Sequence, residues 1–498
     1  MESVWSKETE IENRASLSGN KEAFAVVIGA GMAGILTAYY LKESGFDVIV
    51  LEAAQIASGQ SGKTTAKITS QHGLCYAKMM KRLGTELAGI YASANEGAIA
   101  EYERLIKKKG IQCHFEKMSS YLYSTEHAEV LKEEADAAQR LGINAEFVTE
   151  TELPFRVKGA VCFKNQARFQ PLEFIKELAK ELEIYEYTKV LSVKKNMVYT
   201  DRGNVRAEHI IFATHYPIMN VPGMYFTRQH QERSYVLALS KTKPLHGMYR
   251  SVDSNGLSLR SCGDILLLGG GTHRTGKKAS VKKKSDGYIA GNTAEEEGVY
   301  QYLKECANKY YPDSNETARW SAQDCMPHDE IPFIGRYSVC RPNWYIATGF
   351  GKWGMTSSMV AALLICDKIC GRENPYERLF KPQRLHFFAF PAFVKDLGES
   401  VIGLGKGAFH FPIRTEKALQ PGEAGIVRQG WKRYACFKDR EGRLHKISAK
   451  CPHMGCELAW NAEELSWDCP CHGSRFDCDG KLLDNPAQID KSVNQSVN

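Results

Sequence analysis

Long apolar runs are missing from this sequence of 498 residues. No uninterrupted stretch approaches the length of about 18 apolar residues that a membrane-spanning helix needs, so we expect no membrane span. The first 22 residues are acidic and polar and have no apolar core, which is not the pattern of a secretory signal. Both absences predict a cytoplasmic protein.

Basic blocks are equally scarce. The formal net charge of +7 is spread over a chain in which 25% of the residues are charged, and basic residues do not alternate with aromatic ones. This pattern predicts no nucleic-acid partner. The 15 cysteines are mostly scattered, as suits a reducing compartment, yet five of them fall between Cys451 and Cys478. The chain length and a hydrophobic fraction of 43% predict a globular protein of two or three domains.

The stretch from Phe24 to Glu52 has the pattern of strand, tight turn, helix and strand. Its turn reads Gly29-x-Gly31-x-x-Gly34. Gly29 permits the turn, Gly31 lets a pyrophosphate approach the backbone, and Gly34 lets the helix lie close to the strand. The free N–H groups at the start of that helix then face the phosphates. Glu52 follows Gly34 by 18 residues, where a carboxylate can bind a ribose hydroxyl, so we predict a dinucleotide site.

The next loop contains a near match to a phosphate-binding Walker loop. It has Gly62-Lys63-Thr64 but begins with Ala57 in place of glycine, and it follows a strand that the first motif already uses. We therefore favour a Gly/Ser/Thr-rich loop that lines the same nucleotide site.

Residues 75–150 show helical periodicity typical of packing helices, and residues 217–320 are rich in strand patterns. A β-rich insertion of this kind commonly covers the reactive end of a cofactor. Cys366 and Cys370 lie one helical turn apart, where a packed helix face is favoured over a metal site. The polar candidates in the β-rich region are Arg228, His230, Tyr235, Arg250, His273 and Arg274.

The order of these motifs resembles that of FAD-dependent oxidoreductases of the D-amino-acid oxidase and glycine oxidase type. The resemblance covers about residues 22–385 and includes the strand EHIIFAT, the segment DEIPFIG and the turn GFGKWGMT. It implies FAD with adenine near Val190. One departure is that His215 follows Ala213-Thr214, where the family usually has glycine. The resemblance therefore does not predict the backbone path after Thr214. The implied FAD contacts are Gly29, Gly31, Met32, Ala33, Gly34, Glu52, Thr64, Thr65, Ala66, Lys67, Val190, Thr214, Gly351, Gly354, Met355 and Thr356.

Two short motifs near the C-terminal end carry metal-binding residue types. Cys451 and His453 are followed after 15 residues by Cys469 and His472. Two thiolates and two imidazoles could hold zinc in a tetrahedral site. Each motif supplies one cysteine and one histidine, however, which suits a [2Fe-2S] cluster with both thiolates on one iron and both imidazoles on the other. We favour the cluster, with zinc as the alternative.

About residues 418–498 resemble Rieske domains. The resemblance implies that Cys451, His453, Cys469 and His472 are the metal ligands and that Cys456 and Cys471 form a disulfide. It also implies a hydrogen bond from Ser474 to a cluster sulfide. Phe476 stands where the highest-potential members have tyrosine, so an intermediate reduction potential is expected.

The predicted fold class is α/β, with a Rossmann-like FAD-binding domain and a β-rich substrate domain, followed by an all-β Rieske domain. FAD and the cluster are expected in separate domains, so that replacing the cluster ligand His472 should leave FAD bound. For electrons to pass between them, the histidine edge of the cluster should face the FAD-binding domain. The predicted divisions are an N-terminal tail (1–21), the oxidoreductase (22–385), a linker (386–412) and the Rieske domain (413–498). Within the oxidoreductase, the FAD-binding segments are 22–95, 156–216 and 322–385, and the substrate-domain segments are 96–155 and 217–321.

These features predict an enzyme that oxidises a small-molecule donor, such as an amine or an amino acid, with FAD. The reduced FAD would pass single electrons to the iron-sulfur cluster. The sequence identifies neither the catalytic residues nor the final electron acceptor. The alternative is a redox-sensing or electron-carrying protein that turns over no substrate.

Overall fold

The computed structural model describes residues 2–278, 280–284, 287–288, 296–384, 386–391, 393–395, 398 and 415–491. Most of the predicted linker, 386–412, lies outside these residues. Among the described residues, no helix has both the length and the apolar character needed to cross a membrane. The helices are α1 (Val4–Glu8), α2 (Met32–Glu43), α3 (Tyr76–Leu83), α4 (Thr85–Lys109), α5 (Glu129–Arg140), α6 (Pro171–Ala179), α7 (Val299–Tyr310), α8 (Gly354–Ile369) and α9 (Glu377–Phe380).

The strands of the first four-fifths of the chain form two large sheets and one small one. They are β1 (Lys21–Ile28), β2 (Val48–Leu51), β3 (Lys67–Ile68), β4 (Glu116–Ser124), β5 (Ala145–Val148), β6 (Gly159–Arg168), β7 (Glu183–Tyr185), β8 (Val190–Lys194), β9 (Met197–Thr200), β10 (Asn204–Phe212), β11 (Gln229–Ser240), β12 (Gly247–Ser251), β13 (Ser258–Cys262), β14 (Ile265–Arg274), β15 (Ser280–Lys284), β16 (Gly287–Tyr288), β17 (Glu296–Gly298), β18 (Asn315–Pro327), β19 (Phe333–Ser338) and β20 (Arg341–Thr348).

The first large sheet carries the opening glycine turn. Its order is β19-β20-β10-β1-β2-β7, and the strands from β20 to β7 run parallel. Val26 and Val27 are fully buried in β1 because helices and loops cover both faces of the sheet. Parallel strands end on the same side, so the turns after β1, β10 and β20 meet at one edge.

The second large sheet has the order β18-β11-β14-β13-β12-β4-β6-β3, with β5 paired to β6. All of its pairs are antiparallel except β12 with β4. The structure differs here from the predicted segments, which placed β3 and β6 with the FAD-binding residues. Strand β6 pairs along its length with β4 and therefore belongs to the second sheet.

The C-terminal domain consists of short antiparallel strands. They form a three-stranded sheet, β21-β22-β23, and a four-stranded sheet, β24-β25-β26-β27. The strands are β21 (Ala424–Gln429), β22 (Lys432–Lys438), β23 (Leu444–Ser448), β24 (Ala459–Asn461), β25 (Ser466–Asp468), β26 (Arg475–Asp477) and β27 (Leu482–Asp484). The loops that carry the cysteine and histidine motifs follow β23 and β25.

The segment predicted as an N-terminal tail is folded against the protein. Trp5 in α1 is fully buried, and its indole N–H donates to the carbonyl of Thr64 at 2.7 Å. The guanidinium of Arg260 lies 5.3 Å from the Trp5 ring centre. This helix therefore supports the loop that follows the opening motif.

Candidate functional site

A cavity of about 1040 Å³ lies where the turns after β1, β10 and β20 meet the second large sheet. Most of the residues predicted to contact FAD line this cavity. They are Gly29, Gly31, Met32, Ala33, Glu52, Thr64, Thr65, Val190, Thr214, Gly351, Gly354 and Met355. The structure thus brings together residues that are more than 300 positions apart in the chain.

The glycines of the opening turn are required by close backbone contacts. Gly29 has a φ of +106°, and a Cβ atom there would lie 2.5 Å from the carbonyl oxygen of Ala213. At Gly34, a Cβ atom would lie 1.8 Å from the carbonyl oxygen of Gly29. At Gly31, the nearest atom is the side-chain oxygen of Ser61 at 3.1 Å, so the space beyond Gly31 belongs to the cavity. Glycine is thus needed for the fold at two positions and leaves room for a ligand at the third.

Glu52 ties the turn together from the end of β2. Its carboxylate accepts hydrogen bonds from the backbone N–H groups of Ala30 at 2.8 Å and Ala54 at 2.9 Å. Burial raises the pKa of Glu52, and these backbone hydrogen bonds oppose that rise. The side chain borders the cavity, so its predicted contact with a ribose stays a prediction.

The Walker-like loop lines the same cavity as the glycine turn. It forms a short 3₁₀ turn, Gln60–Lys63, and the Ser61 hydroxyl accepts from the N–H of Met32 at the start of α2 at 2.9 Å. This position agrees with a single nucleotide site and not with a second one. The loop therefore supports the helix end that the first motif provides.

Four of the predicted FAD contacts do not line the cavity. Gly34 lies behind the turn, and Ala66 accepts a hydrogen bond from Arg260. Lys67 is half-buried between strands, where its ammonium donates to the Tyr249 carbonyl at 2.8 Å and desolvation lowers its pKa. Thr356 donates to the Thr69 carbonyl at 3.1 Å. These residues hold the loops that line the cavity.

His215 resolves the backbone path after β10. It has a φ of +64°, so a histidine adopts the left-handed conformation that glycine adopts readily. Its carbonyl accepts from the hydroxyl of Thr348 at 2.5 Å, which supports that conformation. The imidazole borders the cavity, and burial lowers its pKa. The turn after Thr214 is therefore formed with a histidine at a position where glycine would be unstrained.

The polar candidates from the β-rich region have different locations. Tyr235 and Arg250 line the cavity. Arg274 instead reaches the C-terminal domain, where it donates to the carbonyls of Pro470 at 3.2 Å and Cys471 at 3.1 Å. The candidates outside the cavity lining are Arg228, His230, His273 and Arg274.

The sequence patterns missed a charged group in the cavity. The ammonium of Lys352, in the second glycine turn, lies 3.1 Å from Glu232 and 3.5 Å from Asp324. Burial raises the pKa of Asp324, whereas His230 and Lys352 hold the pKa of Glu232 far below its usual range despite burial. Lys352 belongs to a turn, Glu232 to β11 and Asp324 to β18. The alternation of polar residues along β11 was the only feature of the sequence that pointed to a polar face here.

A second cavity of about 310 Å³ shares Arg250, Gly351 and Lys352 with the first. The ring of Trp353 stacks on that of His72 with centres 4.8 Å apart, and the Arg250 guanidinium lies 4.9 Å from the Trp353 ring centre. Among the described residues, Arg250 has no carboxylate in ion-pair contact. It is a half-buried cation between two cavities, and its partial removal from water lowers its pKa.

The two metal motifs of the C-terminal domain fold as matching turns. The N–H of Cys451 donates to the carbonyl of Cys456 at 2.7 Å, and the N–H of Cys469 donates to that of Ser474 at 2.8 Å. Cys456 and Cys471 form a disulfide that joins the turns. Both turns therefore present a free, buried cysteine to the same point.

The histidines supply the remaining donors at that point. The rings of His453 and His472 are perpendicular, with centres 4.9 Å apart. The Nδ1 atoms of both rings are buried and have no hydrogen-bond partner in the described part of the chain. A buried imidazole nitrogen without a partner is costly unless it binds something, so the residues fit a metal cluster. The residues predicted to bind the cluster, Cys451, His453, Cys469 and His472, are thus the ones that these two turns bring together, and their role as ligands stays a prediction.

The histidine edge of this site faces the flavin domain. His453 Nε2 is 2.8 Å from the side-chain oxygen of Asn220, and the Phe226 ring centre is 5.7 Å from that of His472. The side-chain amide of Gln231 donates to the carbonyl of His472 at 2.6 Å. The metal site is therefore adjacent to β11, whose next residue, Glu232, lines the cavity.

Buried ion pairs and amides fill the contact between the domains. Arg233 is 1% exposed and lies 3.3 Å from Glu464 and 3.7 Å from Asp484. The side-chain amide of Gln323 donates to the carbonyl of Gly473 at 2.9 Å. Sequence patterns could not predict these pairs, because each joins a strand of the second large sheet to the C-terminal domain.

Two family models match this chain. Residues 25–368 match the FAD dependent oxidoreductases, and residues 410–494 match the Rieske [2Fe-2S] domain. The chain therefore belongs to the FAD dependent oxidoreductase family and carries a Rieske domain. It binds FAD in the first part and a [2Fe-2S] cluster in the second, which confirms the predicted fold class and both cofactors.

Its relatives include a protein of the same two-part composition. The putative Rieske 2Fe-2S iron-sulfur protein YhfW of Bacillus subtilis (strain 168) is 34% identical over 508 residues, covering 98% of this chain and 96% of the relative. The structure of glycine oxidase from Geobacillus kaustophilus aligns with a TM-score of 0.60 at 17% identity, over 73% of this chain and 99% of that one. L-proline dehydrogenase from P. horikoshii aligns with a TM-score of 0.57 at 17% identity, over 74% and 98%.

Proposed function

We propose that this FAD-dependent oxidoreductase oxidises a small amine or amino-acid-like donor and passes the electrons from FAD to its own Rieske cluster. The observation that carries the proposal is the position of β11. Successive residues of a strand point to opposite faces. Gln231 contacts the cluster-binding turn, and the adjacent Glu232 lines the cavity. One strand therefore separates the two sites.

The cavity offers groups that can bind such a donor. Arg250 presents a guanidinium that can donate two parallel hydrogen bonds to a carboxylate. Lys352 is held by Glu232 and Asp324, which fixes the second glycine turn against the sheet. Asp324 lies at the wall of the cavity, 3.5 Å from the same ammonium. The two solved relatives are named for glycine and L-proline, which also supports a donor with an amino group and a carboxylate.

The cofactors supply the redox chemistry: bound FAD takes two electrons from a donor and can release them singly to a one-electron carrier. The residues of this chain set the arrangement. Gln231, Gln323 and Arg274 fix the ligand turns against the second sheet, and Phe226 and Asn220 cover the imidazoles. The final electron acceptor is a separate molecule.

The test is anaerobic mixing of the oxidised protein with a panel of amines and amino acids, followed by stopped-flow absorbance at a flavin and a cluster wavelength. We expect a donor to reduce FAD first and the cluster second, with a second rate that does not depend on protein concentration. A second phase that scales with protein concentration would mean that the cluster serves another partner. Absence of flavin reduction by every donor would favour the sensor or carrier function.

A further inference from the structure

The C-terminal domain forms part of the wall of the FAD cavity. Asp484, Asn485 and Gln488, from the segment 481–490, line the same cavity as Gly31. The cavity in one domain thus takes part of its wall from the other domain. Both domains therefore contribute to the cavity predicted to hold FAD.

The segment is attached to the end of β10 through Asn485. Its side-chain amide donates to the carbonyls of Thr214 and Tyr216, at 3.0 Å each. The backbone carbonyl of Asn485 accepts from the side chain of Gln231 at 3.2 Å. One side chain therefore fixes the cluster domain to the strand end that borders the cavity.

A second attachment reaches the loop beside the glycine turn. The side chain of Gln60 donates to Asp484 at 2.9 Å. The neighbouring Ser61 accepts from the N–H of Met32, at the helix end that faces the cavity. The segment is thereby connected, through two consecutive loop residues, to the part of the cavity predicted to hold the pyrophosphate.

The attachment is rigid on the side of the C-terminal domain. Asp484 lies 2.9 Å from Arg475 and 3.7 Å from Arg233, and both arginines are almost fully buried. Moving the segment away would separate Arg233 from Asp484. Breaking a buried ion pair in this way is strongly unfavourable.

We propose that the segment 481–490 of the Rieske domain is part of the FAD-binding site and retains the cofactor by closing the cavity over it. Release of FAD then requires the segment to separate from Thr214 and Gln60. By thermodynamic linkage, bound FAD stabilises the contact between the domains to the same extent. This inference concerns cofactor retention and does not depend on the proposed electron transfer.

The test is the rate of FAD release from the oxidised, donor-free holoprotein after dilution, followed by the fluorescence of free FAD. Asn485→Ala removes two hydrogen bonds of the closure, and we expect release about tenfold faster than in the unaltered protein. Gln429→Ala is the matched control, since this exposed amide of β21 bonds to Lys446 within its own domain. Its release rate should equal that of the unaltered protein.

The electron paramagnetic resonance signal of the reduced cluster reports whether the C-terminal domain is intact. If Asn485→Ala fails to assemble the cluster, Gln60→Ala tests the closure from the flavin domain. Faster release, or complete loss of FAD, with an intact cluster signal supports the proposal. Release within twofold of the unaltered rate in both variants would overturn it. Because no donor is present, this outcome is separate from the test of electron transfer.

Discussion

Arg250 is the residue on which donor binding depends in the proposed function. Replacing it with alanine removes two charge-assisted hydrogen bonds, an expected loss of about 3 kcal/mol, or about a hundredfold in the rate of FAD reduction at low donor concentration. Arg250→Lys keeps the charge and should lose less. Stopped-flow flavin absorbance measures both. Equal rates for Arg250→Ala and the unaltered protein with a carboxylate-bearing donor would show that the guanidinium binds nothing.

His472 is a residue whose role can be separated from that of other histidines in its domain. His472→Ala should abolish the low-average-g electron paramagnetic resonance signal of the reduced cluster, because a ligand nitrogen is lost. His445→Gln is a suitable control, since His445 bonds to Asp479 at 2.7 Å and Asp439 at 3.2 Å. That variant should keep the signal. Zinc without iron in protein prepared anaerobically would contradict the assignment of the ligands to a cluster.

At the scale of elements, two glycine substitutions in the turn between β1 and α2 should have different effects, one on FAD binding and the other on stability. Gly31→Val places a side chain in the cavity, so we expect loss of FAD with the fold stable to within about 1 kcal/mol. Gly34→Ala places a methyl group against the backbone of Gly29, so we expect destabilisation of about 3 kcal/mol. The FAD-to-protein ratio and thermal unfolding distinguish the two. Full FAD content in Gly31→Val would mean that the pyrophosphate lies elsewhere.

Sequence patterns predict the short local motifs of this protein well. The glycine turn and the two metal motifs are local: a few residues of defined type enforce each backbone shape, and their spacing is visible in the sequence. The assignment of β6 depends on its pairing with β4, and the burial of Trp5 depends on Arg260 and the Thr64 carbonyl. Such contacts depend on the tertiary fold, and periodicity carries no signal of them.

At the scale of the whole molecule, the sequence predicts both cofactors but not the contacts that hold their two domains together. The contact between domains depends on pairs such as Arg233 with Glu464, which are 231 residues apart. The group formed by Lys352, Glu232 and Asp324 was missed for the same reason. Each residue alone has the sequence context of an ordinary surface charge, and only the packed sheets bring them together.

The amide-filled contact between the domains has a consequence for the kinetics of the molecule. Gln231 and Gln323 are almost fully buried, and the charges beside them are paired within the contact. Screening by dissolved salt acts weakly on buried pairs. The two redox centres therefore need no diffusional encounter, and the proposed transfer between them is insensitive to the ionic strength and viscosity of the surrounding medium.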